Sequence, residues 1–135
     1  MQSLAFVALV VPDYDAALSF YVDQLGFDLI EDSDMGDGKR WVRVAPPGGP
    51  DGAAGQTQLL IARAVDDRQR AAIGNQTGGR VGFFLQTDDF IRDHSRMLQA
   101  GVKFEEDPRD EAYGRVAVWQ DPFGNRWDLI QFSNL

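Results

Sequence analysis

Residues 4–27, LAFVALVVPDYDAALSFYVDQLGF, decide how the rest of the chain is read. Leu4 to Val11 is an unbroken apolar run rich in β-branched residues, the pattern of a strand buried on both faces. Pro12 and Asp13 end it. Asp13 belongs to the residue types that cap helices, and Ala17, Phe20, Tyr21 and Leu25 then recur at spacings of three and four. This predicts a helix over 15–25, closed by Gly26. Short strands are predicted at 27–30, 40–44 and 57–62, separated by a turn at 34–38 and a loose loop at 46–55. The order is β-α-β-β-β.

That order occurs a second time. Val81 to Thr87 reads as a strand, Asp88 and Asp89 as caps, Phe90 to Ala100 as a helix and Gly101 as its stop. Strands follow at 102–105, 115–120 and 126–132, the last two joined by a turn at 121–125. Asp13-Tyr14 answers Asp89-Phe90, Leu25-Gly26-Phe27 answers Ala100-Gly101-Val102, and Gln58-Leu59-Leu60 answers Asp128-Leu129-Ile130. A short helix at 65–73 and a Gly-rich stretch at 74–79 separate the halves, so module 1 is expected at about 1–64 and module 2 at about 80–135.

At 135 residues the chain has the size of one domain. No apolar run is long enough to span a bilayer, and no basic-then-apolar leader opens the sequence, so the cytoplasm is the expected location. The absence of cysteine removes disulfides, thiolate nucleophiles and sulfur-ligated metals. A net charge of -8 with no Lys/Arg cluster argues against nucleic acid and anionic membrane surfaces as partners.

The stretch Val10-Val11-Pro12-Asp13-Tyr14, with Ala17, Phe20-Tyr21 and Leu25-Gly26-Phe27, resembles the first helix of the vicinal-oxygen-chelate superfamily of glyoxalases, bleomycin-resistance proteins and extradiol dioxygenases. Asp121-Pro122-Phe123-Gly124-Asn125 with Trp127-Asp128-Leu129 resembles its closing hairpin and last strand. The resemblance implies an α+β fold: two tandem βαβββ modules forming a curled mixed sheet around a cleft, helices outside, in a homodimer. It also implies that metal enzymes of this kind carry one ligand on the first and one on the last strand of each module. Matched motif to motif, those positions here are Phe6, Gln58, Gly82 and Asp128. Phe6 and Gly82 offer no donor and Gln58 only a neutral one, so the metal site is degraded and no cofactor is expected, with a divalent metal left open.

Period-two alternation groups Phe6 with Ala8, and Gly82 with Phe84 and Gln86. With Gln58 and Asp128 they make an apolar, aromatic pocket containing few polar groups, suited to a small and partly apolar organic molecule. Asp128 lies among apolar neighbours and is the candidate general base or ligand anchor, or else a structural carboxylate held by Gln58 or a backbone amide. Trp119, with Trp41 and Tyr113, is a candidate for stacking surface at the rim, or ordinary core. His94, the only histidine, falls on the packed stripe of the second helix and reads as structural.

The Gly48–Gly55 stretch lacks the spacing of a phosphate loop, and Glu105, Glu106, Asp107, Asp110 and Glu111 read as a solvated acidic turn. Three functions follow: metal-free capture of a small molecule, a lyase, isomerase or dioxygenase using Asp128 as base or ligand, and an interaction module without a ligand.

Overall fold

The Asp13 carboxylate accepts the Ala16 amide N–H at 2.8 Å, so the chain turns from β1 (Phe6–Val11) directly into α1 (Tyr14–Leu18). In this computed structural model, which describes residues 1–48 and 55–133, the helix then widens into π-type turns over Ser19–Gln24. The wider turn lets two consecutive aromatics face inward: Phe20 and Tyr21 are both buried, their rings edge to face at 4.9 Å.

β2 (Asp28–Asp34), β3 (Arg40–Ala45) and β4 (Gln58–Arg63) complete a sheet ordered β1-β4-β3-β2, in which β1 and β4 run parallel and the other pairs antiparallel. Leu9, Val11, Val42, Val44, Leu59 and Ile61 are buried together with Ala17, Phe20 and Tyr21 and form the core of this unit. A further helix, α2 (Asp67–Ala72), capped by the Asp66 carboxylate on the Gln69 N–H, lies against β1.

The chain divides into two units, Met1–Ile73 and Gly74–Leu135. The second contains β5 (Phe83–Gln86), α3 (Phe90–Gln99), β6 (Lys103–Phe104), β7 (Arg109–Glu111), β8 (Gly114–Gln120) and β9 (Arg126–Phe132). Its sheet is ordered β5-β9-β8-β6, with β7 added to β8, and again the first and last strands, β5 and β9, are parallel. Both units therefore follow one βαβββ plan, with β7 an additional strand in the second, the α+β architecture expected from the sequence. In the second, Phe90 and Met97 of α3, together with Trp119, Trp127 and Leu129, supply the core. The Asp121 carboxylate fixes the last turn, accepting N–H groups from Phe123 and Asn125 at 2.9 Å each.

Two expectations change. The strand read at 81–87 shortens to β5, and before it Thr77 packs against the backbone at Gly82: a Cβ added there would lie 2.3 Å from the Thr77 methyl carbon. The acidic segment is largely exposed, as expected, but part of it forms the strand β7 rather than a turn and most of its carboxylates make ion pairs. Glu105 pairs with Arg126, Glu106 and Glu111 with Arg109, and Asp110 with Arg115.

Gly114, at φ 156, brings β8 so close to β9 that a Cβ would sit 2.2 Å from the Gln131 carbonyl oxygen. Gly114→Ala is expected to cost about 2–4 kcal/mol in urea denaturation. Gly78→Ala, at a positive φ but in open space, is expected to cost about 1 kcal/mol.

Candidate functional site

In the second unit, alternation along β9 places Asp128 with Ile130 on the face opposite Trp127 and Leu129. Asp128 stands beside Phe84 of β5 and Val118 of β8, and Ile130 beside Gln86 and Val116. Phe84 is 64% exposed, whereas Asp128 is only 7% exposed. Among the described residues, nothing donates a hydrogen bond to the buried Asp128 Oδ1. A buried acceptor in this state has lost water without a replacement.

Burial pushes the Asp128 carboxyl above the ordinary aspartate range; Arg109 opposes this, Glu106 adds to it and Arg126 opposes it. Those charged neighbours are fixed by the segment between β6 and β7. Glu106 accepts the Val118 amide N–H at 2.9 Å and pairs with Arg109 at 2.9 Å, while Arg126 pairs with Glu105 at 2.9 Å.

In the first unit, Phe6 stands opposite Gln58 in the parallel pair, and Ala8 opposite Leu60. The side chain that organises this face is Arg43, between the buried Val42 and Val44 of β3. Its Nη1 donates to Gln58 Oε1, and its Nε and Nη2 donate to Glu31 Oε1 at 3.1 and 2.9 Å. The guanidinium carbon lies 5.2 Å from the centre of the Phe6 ring, and Phe6 meets Trp41 edge to face at 6.1 Å. Ser33 donates to the other Glu31 oxygen at 2.8 Å, and the Ser33 hydrogen bond, followed by Arg43, holds the Glu31 carboxyl below its ordinary range.

The structure thus brings Phe6, Ala8 and Gln58 onto one sheet face, and Phe84, Gln86 and Asp128 onto another. Trp119 is not at a rim. It is fully buried and stacked on Trp127 at 4.9 Å, on the face of its sheet away from Asp128, because β8 alternation sends Val118 and Trp119 to opposite sides. Tyr113 is half exposed in the turn before β8. His94 stacks on Phe90 at 5.4 Å and meets Phe104 edge-on, and burial followed by Arg115 lowers its pKa. Most of the Gly48–Gly55 stretch lies outside the described residues.

Sequence reasoning missed Arg43, although RWVRV over 40–44 already put Arg43 on the face away from Val42 and Val44. The residues at the four positions matched to metal ligands do not fit a divalent cation. Gln58 Oε1 is taken by a guanidinium, Phe6 and Gly82 have no donor, and among the described residues no three His, Asp or Glu side chains converge.

The chain belongs to the glyoxalase/bleomycin resistance protein/dioxygenase superfamily, whose family model matches residues 3–129. A protein of Shewanella frigidimarina (strain NCIMB 400) is 51% identical over 134 residues, covering 98% of this chain and 96% of its own. Among solved structures, UcmS2 superposes with a TM-score of 0.79 at 26% identity, covering 96% of this chain and 98% of that one. TnmS3, an antibiotic binding protein from Streptomyces sp. CB03234, superposes with a TM-score of 0.75 at 31% identity and 98% coverage of both chains.

A raised folded-state pKa means that Asp128 favours the folded state most when protonated, and that this contribution is lost as pH rises through its folded value. Asp128→Asn is therefore expected to raise the melting temperature at pH 7, the gain shrinking as pH falls toward the ordinary aspartate range near pH ~4. Melting curves across that window check the sign. Calorimetric titration with divalent nickel, zinc, manganese and iron is expected to show no tight site; stoichiometric binding abolished by Asp128→Ala would reverse the reading of the donor set.

Proposed function

We propose that the protein captures a small, partly apolar organic molecule without a metal ion, Asp128 accepting a hydrogen bond from a hydroxyl or ammonium group of that molecule. The observation that carries this is the buried, unpartnered Oδ1 of Asp128 beside Phe84, Val118 and Ile130. A ligand donor would restore the hydrogen bond that burial removed, and Phe84 offers it an aromatic surface.

The likeness to TnmS3 supports a binding role, and the net charge of -8 favours cationic over anionic ligands and disfavours nucleic acid. The proposal includes a cytoplasmic homodimer, to be checked by mass in solution; among the described residues no helix is long and apolar enough to cross a membrane.

The raised Asp128 pKa favours one competing reading, a lyase, isomerase or dioxygenase in which Asp128 abstracts a proton. Turnover abolished in Asp128→Asn while binding survives would support that reading over simple capture.

A thermal-shift screen of aromatic phenols and amines is expected to give hits. Asp128→Leu is expected to weaken those ligands at least about tenfold by calorimetry. Asp128→Asn, which keeps a carbonyl acceptor, is expected to retain phenols better than amines. Equal affinities across the three proteins would remove Asp128 from the site.

A further inference from the structure

We infer that Arg43, Phe6 and Trp41 form a subsite on one sheet face of the first unit for a planar aromatic group carrying a neutral carbonyl oxygen. The inference rests on the small-molecule reading above and names the chemistry one face would select. A guanidinium has five N–H groups. Three are engaged here, by Glu31 and Gln58, which leaves one on Nη1 and one on Nη2 with no recorded acceptor among the described residues.

The Arg43 side chain keeps 20% of its surface exposed, so it is partly accessible to a ligand. Glu31, Gln58 and the Phe6 ring hold the group on three sides, and a ligand would therefore meet donors that are already ordered. Phe6, 39% exposed and set edge-on to Trp41, supplies adjoining aromatic surface.

Charge decides the kind of acceptor. Glu31 already neutralises Arg43, and the chain carries a net -8, so an anionic ligand gains no uncompensated cation and meets an unfavourable field. A neutral carbonyl accepts the same N–H groups without that cost.

The test is calorimetric titration of the wild type, Arg43→Met and Arg43→Lys with fluorene, fluorenone and fluorenecarboxylate. Fluorenone is expected to bind the wild type about tenfold more tightly than fluorene. That preference should vanish in Arg43→Met and fall in Arg43→Lys, which keeps a charge against Glu31 and so controls for folding. Equal binding of ketone and hydrocarbon by the wild type, or a preference surviving in Arg43→Met, would overturn the subsite. Tighter binding of the carboxylate than of the ketone would overturn the neutral-acceptor assignment, and no binding of any of the three would overturn the aromatic subsite. The broader small-molecule reading is judged separately, by the phenol and amine screen with Asp128→Leu.

Discussion

In each unit the first and last strands run side by side and parallel, β1 with β4 and β5 with β9. A parallel pair needs a crossover connection, which α1 and α3 begin and the intervening strands complete. Since α3 contacts β9 and α1 contacts β4, each sheet has a helix-packed face and a second face on which the first strand confronts the last. Functional side chains far apart in sequence are thereby made neighbours: Phe6 faces Gln58 and Phe84 faces Asp128. The capping aspartates Asp13 and Asp89 and the glycines Gly26 and Gly101 fix where each helix starts and stops, and so tie that pairing to local sequence.

The two faces handle charge in opposite ways. On the first, Ser33, Glu31, Arg43 and Gln58 form a linear chain of hydrogen bonds in which a cation and an anion neutralise one another. On the second, the arginines are committed elsewhere, Arg126 to Glu105 and Arg109 to Glu106 and Glu111, and Asp128 keeps a bare oxygen. Folding tolerates such a group because the cost of one unsatisfied acceptor is small against the burial of Leu129, Trp127 and Trp119 on the reverse of the same strands. The cost is localised where an incoming donor would relieve it.

Most of the architecture was legible because it rests on local chemistry. β9 spans 126–132, as its alternation implied, and α3 begins at the residue after its aspartate cap. β7 was not legible, since its three residues are all charged and exposed and are held by pairing to β8, which no local propensity encodes. Arg43 was half legible: its face could be read from the alternation of β3, but Glu31 and Gln58 reach it from neighbouring strands through register. Trp119 was left open between rim and core because aromatics on a strand look alike until the pairing with Trp127 shows which side carries the core.

That pairing gives the molecule an optical asymmetry. Of its three tryptophans, Trp119 and Trp127 lie 17° from parallel with ring centres 4.9 Å apart, close enough for their electronic transitions to couple, while Trp41 sits in the other unit beside Phe6. Phe83 extends the stack from Trp127 at 4.8 Å. A coupled indole pair rotates near-ultraviolet light as one chromophore, and a lone indole does not share that signature. The second unit therefore carries a built-in dichroic marker of its own packing, distinct from the fluorescence of the solitary indole near the aromatic face of the first.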